Sequence, residues 1–322
     1  MLISIVIPTH NRPELLAEAL LSIAGQSARN YEVVIVDDGS KPPVSKTELE
    51  EHTGVSFNLV RHEAARGVPA AKNAGLAAAR GEIVLLLDDD DLLAVDAVQR
   101  ITSAFADHPA LDCVFMGVEP FGPYAEGAAR GRASAMRALF ELAEPRRDGD
   151  LFLFGERLFE ALLKTVPIDF QRPAARRGLW NVVGAFDEAC LFSESAWSIR
   201  AATLGRIALL DAPINRWRIH GGNFGWPAEM DADHARRRQI DNGVAASRHL
   251  RAVFERDAAA ARGRAEAVRR HHADGLFSSA YFLRDKDRRA GWRALTESFR
   301  CRPSARHLKL AISYLLPTRR RA

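Results

Sequence analysis

Short runs of branched apolar residues alternate with amphipathic stretches along residues 1–118, a pattern that predicts a parallel, doubly wound α/β sheet. A first strand is expected over residues 2–7, ended by Pro8. Asn11 can cap the helix that follows, with Pro13 in its first turn and Glu14 placed for a capping box. Leu15, Leu16, Ala19, Leu20 and Ile23 then form one apolar stripe at helical spacing. Further strands are expected over 31–36, 55–60, 83–87 and 111–118, with helices over 70–79 and 92–106. The pattern loosens over 122–149, where Gly, Ala and Arg show no clear strand. Residues 151–163 read as a helix, 171–177 as a loop and 207–210 as a short strand. Ala196, Ile199 and Thr203 put Glu194 at a helix N-terminus, where the dipole favours a carboxylate. Beyond Pro227 the chain reads as helical to its end.

Two of the expected strands run directly into acids. Residues 83–87 lead into Asp88-Asp89-Asp90-Asp91, and residues 31–36 into Asp37-Asp38-Gly39-Ser40. In a parallel sheet both clusters open on the carboxyl edge, where open α/β sheets bind ligands. Four adjacent carboxylates repel one another, and a divalent cation offsets that cost; the alternative is a solvated acidic turn. No GxGxxG follows the first strand and no GxxxxGK[ST] occurs, so a dinucleotide fingerprint and a P-loop are poor readings. A nucleotide bound here would have its diphosphate held through metal on carboxylates.

Charge divides the chain. Residues 1–234 hold 23 Lys/Arg against 33 Asp/Glu, whereas residues 235–322 hold 22 against 8. A basic tail on an acidic body suits an anionic surface, and a solvated Arg-rich helical face is the plainer account. Leu308, Ala311, Ile312, Leu315 and Leu316 make an apolar stripe beside Arg306, Lys309, Arg319, Arg320 and Arg321. That pattern fits either peripheral membrane contact or a helix packed on the rest of the protein. Nucleic acid is not expected, since the basic region lacks interleaved aromatic residues. Cys113, Cys190 and Cys301 are odd in number and far apart, which predicts a reducing compartment. No apolar run reaches the roughly 20 residues that span a bilayer. The expected setting is cytoplasmic, with peripheral contact at the inner face of the membrane as an option.

Four blocks taken in order resemble the inverting glycosyltransferases of family 2, which have a GT-A fold. They are residues 4–12 (SIVIPTHNR), 32–40 (EVVIVDDGS), 67–91 and 186–223. The resemblance, which covers roughly residues 1–225, implies a GT-A type, mostly parallel sheet, to which the remaining sequence adds a helical C-terminal extension. It also implies a donor-binding half over 1–118 and an acceptor and catalytic half over 119–225; the basic helical region over 226–322 lies outside the resemblance and is read from its composition. The implied activity is metal-dependent sugar transfer from a nucleotide-diphosphate donor, UDP-sugar favoured, to a glycan or lipid-linked glycan hydroxyl in envelope or exopolysaccharide synthesis. Pro8, Thr9, His10, Arg12, Asp38, Lys72, Asp88 and Asp89 then become donor-contacting residues. Thr9, His10 and Asp38 would line the base and ribose pocket, and Lys72, where the family usually has Arg before Asn, the phosphates. The DxD place falls on Asp88 to Asp90. Asp88 and Asp90 are its principal pair, and with His220 they form the metal set for Mn²⁺ or Mg²⁺. His220 belongs to a segment, Arg218 to Asn223, that matches the family's R-x-H-x-x-N.

The family usually places Glu-Asp at its base, the Glu seven residues before a helical Arg. Anchored on Arg200, Ser193 stands for that Glu and Glu194 for the Asp, so Glu194 is the implied base, one methylene longer than usual. Ser193 and the longer base leave open a catalytically weak or inactive relative that only binds donor. A haloacid-dehalogenase-like phosphatase also places DxD after a strand, but after the first one.

Overall fold

The computed structural model describes residues 1–188, 190, 193–221, 232–256 and 264–315. The chain forms two compact units, Met1–Asn223 and Phe224–Ala322.

The first unit is built on one sheet of ten strands. Strand β1 (Ile3–Thr9) is buried along its whole length, and it pairs in parallel with β2 (Tyr31–Asp38) on one side and β4 (Ile83–Leu86) on the other. β3 (Asn58–His62) extends the parallel set beyond β2. Ile3, Ile5 and Ile7 point to one face, against Leu16, Leu20 and Ile23 of α1 (Pro13–Ala24) and Ile101 and Phe105 of α4 (Ala97–Asp107). The other face meets α3 (Val68–Ala78), whose Gly75 sits so near β1 that an added Cβ would lie 2.2 Å from Val6 Cγ1. Helices on both faces of a parallel core give the doubly wound arrangement.

The far half of the sheet is mixed. The order is β3-β2-β1-β4-β9-β6-β10-β8-β7, with β6 (Cys113–Phe121) and β10 (Ile207–Arg218) parallel to each other. β9 (Pro173–Arg176) inserts antiparallel between β4 and β6. β7 (Arg146–Asp148) and β8 (Leu151–Leu153) form an antiparallel edge, and β5 (Leu92–Leu93) pairs antiparallel with β10.

Several expected elements are redrawn. The loop expected over 171–177 contains β9, which is short and opens on Pro173, so no long branched run marks it. Residues 151–163 split into β8 and helix α6 (Arg157–Lys164). The expected helix from residue 92 begins at Ala97, because Leu92 and Leu93 form β5. Residues 125–143 form helix α5 (Ala125–Ala143), with only Leu139 and Ala143 buried, so its apolar signature is thin. α2 (Lys46–Thr53), capped by Ser45, is an addition with a mostly polar surface. Asn11 does not cap α1: it adopts φ 54°, Arg12 takes the cap position, and the Asn11 side chain accepts the Lys41 N–H at 2.7 Å. β10 runs well past residue 210, with a register shift at Pro213.

Helices α7 (Arg177–Val183) and α8 (Ser193–Leu204) complete the first unit. The second unit is helical in its described residues: α9 (Ala232–Arg256), α10 (Ala265–Leu283), α11 (Arg288–Cys301) and α12 (Ala305–Leu315). Its core gathers Leu276, Ala280, Leu295, Leu310 and Tyr314. No helix of the described residues is long and apolar enough to cross a membrane. Phe192, Gly222, Asn223, Leu316 and Arg319 to Arg321, each used in the sequence reading, lie outside the described residues.

Candidate active site

Because β1, β2 and β4 are parallel, Thr9, Asp38 and the acids after Leu87 leave the sheet on one edge. The two acidic clusters do different work there. Asp37 is fully buried and its carboxylate accepts the N–H groups of Ser40 and Val44 while pairing with Arg61. Asp38 accepts the N–H groups of Arg66 (2.9 Å) and Gly67 (2.7 Å), and His62 Nδ1 donates to it at 2.7 Å. These bonds offset the burial that would raise both carboxyls, and hold them below the usual range. Gly39 between the clusters needs its φ of +76°, and a Cβ there would meet the Ala65 backbone at 2.6 Å. His10 Nδ1 donates to the Asp38 carbonyl at 2.7 Å, so His10 is braced against the Asp38 turn. Pro8 is buried in β1 opposite Val36, in the strand wall behind these residues.

The four acids after β4 are separated by what each one faces. Asp89 accepts from Thr9 Oγ1 at 2.8 Å and from Arg12 at 3.1 Å. Asp90 accepts from Arg12 at 3.0 Å and lies 3.3 Å from His220 Nε2. Asp91, with no exposed surface, accepts the Arg218 N–H at 3.0 Å and the Arg172 guanidinium, also at 3.0 Å. It therefore ties the end of β4 to the end of β10. Asp88 divides its oxygens between two buried cations: Oδ1 is 2.8 Å from Lys72 Nζ, and Oδ2 is 2.8 Å from Arg172.

Lys72 is the pivot. Only 2% of its side chain is exposed, and besides Asp88 it contacts Glu194 Oε1 at 2.7 Å. Glu194 stands in the first turn of α8, and the Ser193 hydroxyl donates to its other oxygen at 3.4 Å. One ammonium thus links the carboxylate expected to bind metal with the carboxylate expected to act as base. Lys72, expected at the donor phosphates, is buried between Asp88 and Glu194. The following Asn73 exchanges two hydrogen bonds with the Phe186 backbone, at 2.9 Å each, pinning the segment that leads toward α8.

Burial works against every ion in this cluster, and the balance differs by residue. For Asp88, Arg172 and Lys72 overcome burial and hold the carboxyl well below its ordinary range. Burial and the neighbouring Asp90 push Asp89 up to about 6, against Arg12 and Thr9. Burial, with Asp88 and Asp90 adding to it, lifts Asp91 to about 7 despite Arg172. Lys72 and Arg172 gain more from the acids than burial removes, and both are raised above their ordinary values.

Asp88, Asp90 and Asp91 can each present an oxygen with all three within 4.8 Å of one another. Such a set of hard oxygen donors fits Mg²⁺ or Mn²⁺. Arg172 was absent from the sequence reading, hidden on the residue before a four-residue strand. A charge argument could have found it, since four adjacent acids at a buried strand end require buried cations nearby. Two surface hollows, of about 310 and 560 Å³, lie elsewhere, one along α3 and α7 and one beside α4.

Residues 4–162 match the family model described as glycosyl transferase family 2. That stretch, just under half of the chain, is a family 2 glycosyltransferase domain. An uncharacterized glycosyltransferase of Rickettsia conorii is 29% identical over 231 residues, which is 68% of this chain and 33% of the relative. S. aureus TarS 1–349 in complex with UDP-GlcNAc superposes with a TM-score of 0.63 at 18% identity, covering 96% of this chain and 84% of that one. A mannosyltransferase from Pyrobaculum calidifontis, in complex with GDP-Man and Mn²⁺, gives 0.54 at 20% identity, covering 97% and 78%. These likenesses establish the fold, a GT-A sheet with flanking helices and a helical C-terminal segment. The matched stretches span between 13% and 38% of the first few curated relatives. The phosphatase alternative fails with the fold, because the acids follow β4 and not the first strand.

Proposed function

We propose that this family 2 protein is an inverting, metal-dependent glycosyltransferase using a nucleotide-diphosphate sugar, UDP-linked by preference, and a hydroxyl acceptor. The observation that carries it is the Lys72 bridge, 2.8 Å to Asp88 and 2.7 Å to Glu194, at the carboxyl edge of the sheet. Residues 1–118 bind donor, 119–225 carry the acceptor side and base, and 226–322 form the basic helical region. Envelope or exopolysaccharide assembly, with a glycan or lipid-linked glycan acceptor and peripheral membrane contact, is the context we infer for it.

In this reading Thr9, His10 and Asp38 border the base and ribose, with Pro8 in the wall behind them. Arg12 and Lys72 would contact the donor, Arg12 while orienting Asp89 and Asp90. Asp90 and Asp88, with His220 beside Asp90, would hold Mn²⁺ or Mg²⁺, which when bound supplies Lewis-acid stabilisation of the departing diphosphate. Glu194 takes the proton from the acceptor hydroxyl as that oxygen attacks the anomeric carbon from the face opposite the leaving group. Lys72 keeps Glu194 Oε1 engaged, and Oε2, which among the described residues accepts only the long 3.4 Å bond from Ser193, is the oxygen that would take the acceptor proton. Arg172 and Asp91 touch neither substrate and hold Asp88 in place.

A protein that binds donor without turning it over is the second reading, favoured by Ser193 in place of an acid. Calorimetry with UDP-, GDP- and dTDP-sugars, with and without Mn²⁺ or Mg²⁺, tests the donor assignment. Metal-dependent binding of one of them is expected, and binding of none would sink both readings.

A further inference from the structure

Helix α12 carries two apolar faces. His307, Leu310 and Tyr314 turn inward, where Leu310 and Tyr314 join the core of the helical unit. Leu308, Ile312 and Leu315 occupy another face at helical spacing, and they are 66%, 51% and 78% exposed. The inward face suffices to dock the helix, and among the described residues the second stripe remains largely exposed. On the adjoining α11, Trp292 and Phe299 stand seven residues apart and half exposed. Each ring meets a residue of α12 edge-on: Trp292 meets Tyr314 at 5.6 Å, and Phe299 meets His307 at 5.7 Å.

Charge surrounds these apolar groups. Residues 288–315 hold six Arg and one Lys against a single acid, Glu297. That acid pairs with Arg248 at 3.4 Å. Arg300, Arg302 and Lys309 are exposed and have no carboxylate partner among the described residues. Lys309 flanks the exposed stripe.

We propose that the α11–α12 hairpin is a docking surface for an anionic lipid bilayer. A second copy of the chain would set one cationic face against another. A nucleic acid would satisfy the cations and leave Leu308, Ile312 and Leu315 without apolar cover. A bilayer with anionic headgroups satisfies both features at once, with the cations at the phosphates and the stripe at the acyl boundary. Lipid binding is independent of sugar transfer. Only its use, bringing the protein to a lipid-linked acceptor, rests on the transfer reading.

The test is co-sedimentation of the full chain with vesicles of phosphatidylcholine, alone or mixed with phosphatidylglycerol. Binding is expected to the mixed vesicles, to weaken in high salt and to be at least about tenfold poorer on pure phosphatidylcholine. Leu308→Glu with Ile312→Glu is expected to lower affinity by roughly tenfold or more, since each buried side chain contributes on that scale. The melting temperature and donor calorimetry of that variant should match the parent. Arg300→Glu with Lys309→Glu should remove the preference for anionic vesicles. The proposal is overturned by equal binding to both vesicle types or by none. It is equally overturned by a dimer that Leu308→Glu dissociates, or by tighter binding to duplex DNA that Leu308→Glu leaves intact.

Discussion

Replacing Lys72 by Met removes one ammonium and leaves two carboxylates facing each other across a buried gap. Asp88 keeps Arg172 at 2.8 Å, but Glu194 loses the cation that contacts it at 2.7 Å. The Lys72 side chain is 2% exposed and that of Glu194 12%, so water can replace little of what is lost. Removing one partner of a buried ion pair costs about 3–5 kcal/mol. For a unit of this size that is a fall in melting temperature on the order of 10 °C. Lys72→Arg keeps the charge and should recover most of it. The discriminating assay is a double-mutant cycle between Lys72→Met and Glu194→Gln, followed by chemical denaturation. Once Glu194 is neutral, the lysine has one anion fewer to hold, so a coupling on the order of 2 kcal/mol is expected. Turnover should fall in Lys72→Met by far more than donor affinity, since the base loses its orientation. Additive stabilities, together with wild-type turnover in Lys72→Met, would refute the reasoning.

Acidity should act in opposite directions on the two units. Asp89 and Asp91 sit near 6 and 7, above the roughly 3.9 of an unfolded chain, so the cation-free first unit binds extra protons when folded. These two groups therefore make it more stable at pH 5 than at pH 8. Burial holds His271, His272 and His307 below their ordinary value, so their contribution is complete above about pH 6.5 and is lost as pH falls through that point. Hydrogen exchange read peptide by peptide checks both signs, and a common direction in the two units would contradict them. Gly75→Ala should destabilise by about 1–3 kcal/mol through its 2.2 Å approach to Val6, while Gly127→Ala, open to solvent in α5, should be neutral or stabilising in thermal melts.

The half of the sheet built from residues 1–118 was legible because its strands are long, branched and buried on both faces, as in 3–7, 33–36 and 83–86. The acids at their ends could be placed on one edge from parallel pairing alone. The far half resisted for physical reasons. β9 contributes only Pro173, Ala174, Ala175 and Arg176, whose small residues carry no strand signal, yet it lies between β4 and β6 and delivers Arg172 to the acids. β8 took Leu151 to Leu153 from a stretch whose apolar spacing continues smoothly into α6. Pattern also could not assign partners within the cluster. That Asp91 is a buried tie to Arg172 and Arg218, and that Lys72 lies beneath Asp88 and Glu194, are facts of three-dimensional packing.

The central claim is that Glu194 removes the acceptor proton while the acids after β4 hold the donor. Glu194→Gln keeps the size of the side chain and removes its basicity. With the preferred nucleotide-sugar and Mn²⁺ present, donor affinity of this variant measured by calorimetry should equal the parent's. Transfer, or slow donor hydrolysis where the acceptor is unknown, should fall by about 10²–10⁴-fold. Turnover equal to the parent's would show that Glu194 is not the base.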